Sequence, residues 1–239
     1  MSDEQQQQPH VQQVGVFGLG RFGLGLAVRL AELGAEVLAV DSEEDLVEQA
    51  DQRVARAVCL DATNEFAMRK LNLQELDLAI VCIGRNIEAG LLITAVLQRL
   101  GAGAIWVRAI DQNQAQILEA MGVNTVISLE KEMARQVAQK VMMPGIQVIA
   151  PITTGHALAE VKAKREFTGK TLRELDFRNT YGLNVVAIKS RDVSTGADGQ
   201  EKVEYHINDL PHATDVIEDG DRLVVIGPDE KLRSLQADF

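Results

Sequence analysis

VGVFGLGRFGLGLAVRL, residues 14–30, places glycines at 18, 20 and 23 between an apolar run and a stretch of helical periodicity. Each glycine has a physical task in a nucleotide-binding turn. Gly18 permits the tight turn out of a strand. Gly20, having no Cβ, lets the backbone come close to a phosphate. Gly23 lets the helix pack tightly on the strand. The N-terminus of that helix offers free N–H groups and a partial positive charge to an anion. Alone the spacing is a weak signal. Here it follows a strand, opens a helix, and leads to VLAVD, where Asp41 ends a second apolar run 23 residues beyond Gly18. A carboxylate at that place accepts the ribose hydroxyls and repels a 2′-phosphate, which disfavours NADP.

Outward from the turn, short apolar runs alternate with amphipathic helices. The runs are VGVF, EVLAV, RAVCL, LAIVCI, AIWVRAI and NTVISL. Between them lie helical stretches such as FGLGLAVRLAELG and NIEAGLLITAVLQRLG, both ending in the glycine that closes a helix in left-handed conformation. Strands separated by helices predict an α/β fold, a Rossmann-like doubly wound parallel sheet with right-handed crossovers. SLEKEMARQVAQKVMMPG then reads as one more helix, with Ser128 at its start and Pro144 and Gly145 ending it. Its apolar positions Leu129, Met133, Val137 and Val141 form a face that needs a partner. The remainder predicts a small α+β domain. ALAEVKA and NVVAIKS read as strands, and TGKTLRELDF as a short helix with a capping box at Thr171 and Glu174. STGADGQEK reads as a hairpin loop and PDEKLRSLQ as a final helix. The expected division is a disordered Gln-rich tail over 1–12, a nucleotide-binding domain over 13–143, a linker over 144–154 and the second domain over 155–239.

The composition bounds the function. Of 239 residues, 46% are hydrophobic and only 4% aromatic, the filling of a buried parallel sheet. A net charge of −11 argues against a nucleic-acid binder, which needs a basic face to displace counterions. Cys59 and Cys82 both lie in apolar stretches and are expected as buried thiols rather than a disulfide. No apolar run approaches the ~20 residues of a membrane span and no signal peptide is seen, so the expected location is cytoplasmic.

Arg21 stands where a phosphate would approach the helix. It is either a solvated surface residue or a guanidinium beside a polyphosphate; the second reading tilts the ligand from NAD toward ATP or ADP. What is missing matters equally. His156, His206 and His212 lie in the second half, and His10 in the tail, so no histidine is placed to act against a nicotinamide. There is no metal-ligand cluster of Cys and His and no Walker A lysine. The sequence reads as a protein that binds a nucleotide without transforming it.

GLGRFG, AVD, CLDATNEFAMRKLNL, DLAIVCIG, IWVRAI and LEAMGVNTVISLEKEMARQVAQ, in this order, resemble the RCK family of KtrA/TrkA-like regulators of potassium conductance. AEVKA, FTGKTLRELDFRNTYGLNVVAIK and IEDGDRLVVIG resemble its C-terminal domain. The resemblance runs over nearly the whole chain from Val14. It implies a homodimer that assembles into an octameric ring on a membrane potassium-translocating subunit (KtrB/TrkH-like), with the protein peripheral to the inner face of the cell membrane. It implies ATP or ADP as ligand, with NAD or NADH as alternatives. By motif, Gly18, Gly20, Arg21 and Phe22 would form the phosphate turn, and Asp41 would hold the ribose. Asp61, Ala62 and Thr63 would lie along the adenine side, with Ile83 and Gly84 closing the pocket. Arg108 would approach the phosphates, and Glu130 would hold a divalent cation or Na⁺ near the terminal phosphate. Read from the residues alone, Asp61 is equally a helix-cap region, Arg108 a partner for a surface acid, and Glu130 an acid favoured by a helix start. In the second domain, Arg178, Asn184 and Pro211 lie where the resemblance would place cyclic di-AMP; dimerisation alone is the other reading. Two further functions stay open: an RCK regulator of another cation channel or antiporter, and a small NAD-dependent oxidoreductase.

Overall fold

The computed structural model describes residues 13–142, 145–195 and 201–235. The tail over 1–12, Pro144 and the centre of the hairpin loop at 196–200 therefore lie outside the described residues. The chain divides after Met133 into two compact units. No helix among the described residues is long and apolar enough to cross a membrane.

The first unit runs β1 (Gln13–Phe17), α1 (Arg21–Glu32), β2 (Glu36–Asp41), α2 (Glu44–Asp51), β3 (Arg56–Cys59), α3 (Glu65–Met68), β4 (Leu78–Val81), α4 (Ile87–Arg99), β5 (Ala104–Arg108), α5 (Gln112–Ala120), β6 (Thr125–Ile127) and α6 (Leu129–Met142), the last crossing into the second unit. The strands make one parallel sheet in the order β3-β2-β1-β4-β5-β6. Successive strand residues point to opposite faces. Val14, Val16, Ala39 and Ile80 pack with Ala27, Val47 and Ala50 on one face. Phe17, Val40, Val81 and Val107 pack with Ile93, Leu97 and Leu118 on the other. Gly34 and Gly101 close α1 and α4 with φ of +95° and +73°. The strand order reverses between β1 and β4. Crossovers leave this point in opposite directions, so a crevice opens beyond the carboxyl ends of the two strands.

The second unit contains β7 (Ile146–Thr153), β8 (His156–Lys162), α7 (Leu172–Leu175), α8 (Phe177–Thr180), β9 (Asn184–Thr195), β10 (Glu201–Asn208), β11 (Arg222–Pro228) and α9 (Asp229–Ser234). Its sheet is antiparallel in the order β10-β9-β11-β8-β7. The inner face buries Ala159, Val161, Ile188, Leu223 and Val225 against Phe167, Phe177 and Leu232. Phe167, Phe177 and Tyr181 add edge and tilted ring contacts at 5.1–5.6 Å. The capping box is formed as the sequence predicts, with Thr171 and Glu174 each satisfying the other's backbone N–H.

Two sequence expectations differ from the structure. Most of the stretch read as a linker is the strand β7, paired with β8. Pro151 concealed it, yet β7 is an edge strand, where a missing N–H costs no ladder bond. Of the two thiols read as buried, only Cys82 is; Cys59 is exposed, because it ends β3 at the sheet edge.

Candidate nucleotide-binding site

The glycine turn lies at the point where the strand order reverses. Gly18 has φ +99°, a backbone that an L side chain rarely adopts, and its N–H donates to the Val40 carbonyl at 2.8 Å. A Cβ there would press on Ile83, 2.7 Å from its Cδ1, so the turn and the segment after β4 are in contact. Gly23 is the tightest glycine in the site, since a Cβ would meet the Gly18 carbonyl oxygen at 1.8 Å. Gly20 is the opposite case. Nothing lies within 4 Å of where its Cβ would be, so its missing side chain leaves space open to a ligand.

The N-terminus of α1 is built for an anion. Gly20 caps it with no side chain, and its first turn has no acid. The helices α4 and α5, by contrast, are closed by the side chains of Asn86 and Asp111. Uncapped N–H groups and the helix dipole favour negative charge from outside the chain. Arg21, the first residue of α1, is exposed and makes no ion pair among the described residues. Phe22 is partly buried and packs against the core under α1.

Asp41 organises the rim. Its Oδ2 accepts from the Leu19 N–H at 2.6 Å and its Oδ1 from the Glu43 N–H at 3.0 Å. The carboxylate thus locks the glycine turn to the end of β2 and keeps lone pairs for a hydroxyl. The Leu60 N–H donates to the Asp41 carbonyl, which brings the LDAT segment alongside. There Asp61 accepts from the Thr63 N–H and hydroxyl at 2.9 and 2.7 Å, and these bonds, the hydroxyl first, hold its carboxyl below the usual range. Asn64, not Asp61, caps α3. Ala62 is buried.

Arg108 comes off the end of β5 with its side chain 19% exposed. Its guanidinium lies against Gly84, whose Cβ would stand 2.5 Å from Nη1. Its Nη2 donates to Glu130 Oε1 at 2.7 Å, while its Nε is buried with no acceptor. Glu130 is in the first turn of α6; its own N–H, then Arg108, holds its carboxyl below the usual range. The sheet therefore brings together the glycine turn, Asp41, Ile83, Gly84 and Arg108, and α6 adds Glu130. The residues fit a nucleotide: an open cradle at Gly20, an uncapped helix, and a guanidinium whose buried Nε lacks an acceptor. No group of three His, Cys, Asp or Glu among the described residues is placed to hold a metal ion by itself.

Sequence reasoning missed Arg85. It follows Gly84, precedes the cap Asn86, is exposed, and has no ion pair among the described residues. A cation directly after Gly84, in the short segment between β4 and α4, was the available signal. In the second unit, Arg178, Asn184 and Pro211 do line one shallow cleft with Arg173, and the Arg178 Nε–H donates to Asn184 Oδ1 at 2.8 Å.

Residues 14–129 match the TrkA-N domain and residues 156–239 the TrkA-C domain. Ktr system potassium uptake protein C of Bacillus subtilis (strain 168) is 35% identical over 212 residues, covering 89% of this chain and 90% of that protein. The chain belongs to the RCK family, in its KtrA/TrkA-like branch. Ktr system potassium uptake protein A of Vibrio alginolyticus is 32% identical over 220 residues, 92% of this RCK chain and 94% of that protein. Among solved structures, the GsuK channel bound to NAD superposes with a TM-score of 0.53 at 22% identity, over 95% of this chain and 38% of that one. That likeness supports the RCK fold.

Proposed function

We propose that this RCK protein is a cytoplasmic nucleotide-sensing regulatory subunit of a bacterial potassium transporter. The observation that carries the reading is the carboxyl end of the parallel sheet, with an uncapped α1, an open Gly20 and a guanidinium whose Nε lacks an acceptor, in a chain whose relatives are named as potassium-uptake proteins. In this reading ATP or ADP is the principal ligand, with NAD or NADH as competitors. Phosphates lie on the Gly18–Phe22 turn, Asp41 accepts the ribose hydroxyls, and Asp61, Ala62 and Thr63 border the adenine. Arg21 reads the terminal phosphate, and a divalent cation or Na⁺ joins it beside Glu130. The protein performs no chemistry; the ligand's charge selects a shape.

The shape acts through assembly. Met133, Val137 and Val141 of α6 are 58%, 52% and 69% exposed, an apolar stripe on a helix. A second copy would cover it, giving a homodimer, which in turn builds an octameric ring against a KtrB/TrkH-like membrane subunit. Calorimetric titration of the nucleotide-stripped protein with ATP, ADP, NADH and AMP tests the ligand reading. Arg21→Ala should weaken ATP more than ADP. Tight NADH binding unaffected by the substitution would favour a redox role instead. Light scattering tests the assembly: a monomer at micromolar concentration counts against it.

The cleft at Arg173, Arg178, Asn184 and Pro211 favours a second ligand, cyclic di-AMP, bound between paired C-terminal units. Its phosphates would meet the arginines. Titration with cyclic di-AMP, lost in Arg178→Ala, checks this.

A further inference from the structure

Arg108 and Glu130 come to their ion pair on unequal terms. The guanidinium is mostly buried, wedged against the Gly84 backbone, and its Nε has no acceptor. The carboxylate is 62% exposed and reaches in from the first turn of α6. A guanidinium presents five donors in a fork that suits carboxylate and phosphate alike. Glu130 gives this fork one oxygen, at 2.7 Å. A terminal phosphate brings more charge and three oxygens. The protein's own acid thus occupies the donor that an incoming polyphosphate would seek.

We infer that Glu130 is an internal competitor of the ligand's terminal phosphate for Arg108, and so a specificity-determining residue of the crevice. The inference rests on the nucleotide reading above. A ligand must carry enough charge at its end to displace the carboxylate. AMP, whose phosphate is held at the glycine turn, leaves the pair intact. ADP strains it and ATP breaks it. Once displaced, Glu130 faces a phosphate with no guanidinium between them. The first turn of α6 is then under like-charge repulsion unless a cation bridges the two, so the charge of the ligand is felt by the helix that carries the exposed apolar stripe.

The test uses the nucleotide-stripped full chain in EDTA, titrated with AMP, ADP and ATP. Glu130→Gln keeps the shape and removes the charge. It should tighten ATP about two- to fivefold, the worth of a largely exposed ion pair, and leave AMP unchanged. Glu88→Gln is the control, because Glu88 is an exposed acid in the first turn of α4, near Gly84 in sequence and unpaired among the described residues. It should change ATP affinity by less than Glu130→Gln does. In an Arg108→Gln background the competition is gone and only like-charge repulsion is left, so Glu130→Gln should tighten ATP by a different factor than it does in the wild type. The inference is overturned if Glu130→Gln leaves ATP affinity unchanged or weakens it. It is equally overturned if Glu88→Gln matches it, or if the gain from Glu130→Gln is the same with and without Arg108. Should Arg108→Gln not fold, the comparison of Glu130→Gln with Glu88→Gln still decides. If the wild type binds none of the three nucleotides, the nucleotide reading falls and this inference with it. If the wild type binds and Glu130→Gln changes nothing, only this inference falls.

Discussion

Gly20 and Gly23 are three residues apart and should respond to alanine in opposite ways. Gly20 has φ −59°, which alanine tolerates, and open space around it. Gly20→Ala should change thermal stability by less than about 0.5 kcal/mol while weakening nucleotide binding about tenfold or more, because the new methyl occupies the phosphate approach. Gly23→Ala drives a carbon into a backbone carbonyl and should cost about 3 kcal/mol or more. Urea unfolding and calorimetric titration of the two variants separate these outcomes. The two thiols should also part company. Burial pushes the Cys82 thiol up to about 12, so it stays protonated and sheltered. Cys59 is exposed. A thiol reagent at neutral pH should therefore modify Cys59 in the folded protein and Cys82 only on unfolding; two equally fast thiols would contradict the fold. At this scale the sequence was most legible where the signal is local. The glycine spacing and Asp41 belong to one βαβ unit, and their places follow from it. Arg108 and Glu130 are 22 residues apart, and only the pairing of β5 with β6 brings their elements together. Arg85 escaped notice because no spacing rule includes it.

Elements were read well when periodicity and caps agreed. The six parallel strands and the capping box of α7 are such cases. Thr171 accepts from the Glu174 N–H at 3.2 Å while its own N–H and hydroxyl donate to the Glu174 carboxylate. Thr171→Ala should cost about 1 kcal/mol in chemical denaturation without altering nucleotide affinity. β7 was missed because a proline and an alternation half exposed to water imitate a connector. The cleft at Arg178 was nominated only by resemblance. Its walls come from α7, α8, the start of β9 and the segment before β11, and no pattern along the chain joins them.

For the molecule as a whole, acid is the condition to which these contacts are tuned. The carboxyls of Asp61, Glu65, Glu130, Glu174 and Asp215 are all held below their ordinary values by hydrogen bonds, with guanidiniums contributing at Glu65 and Glu130. A carboxyl whose folded value is depressed adds stability above its unfolded value, and that addition is lost as pH falls through the folded one. From these groups the melting temperature should be level through the neutral range and drop once pH passes below about 4.5, the ordinary value for Glu. Each of these groups is near the surface, so the drop should be gradual and reduced by salt. A decline beginning above pH 6 in a thermal melt would point to other groups.

The position of β11 has a consequence for biosynthesis. Among the described strands of its sheet it is the last to leave the ribosome, yet it occupies the centre, between β9 and β8. Until it arrives, both neighbours expose unpaired backbone, the kind of surface on which nascent chains pair wrongly. The parallel sheet of the first unit is complete by Ile127 and can close while translation continues. The second sheet must wait for Arg222–Pro228. A ribosome that stops short of Arg222 therefore releases the parallel-sheet unit with no finished partner domain, and a folded second sheet certifies that translation has passed Pro228.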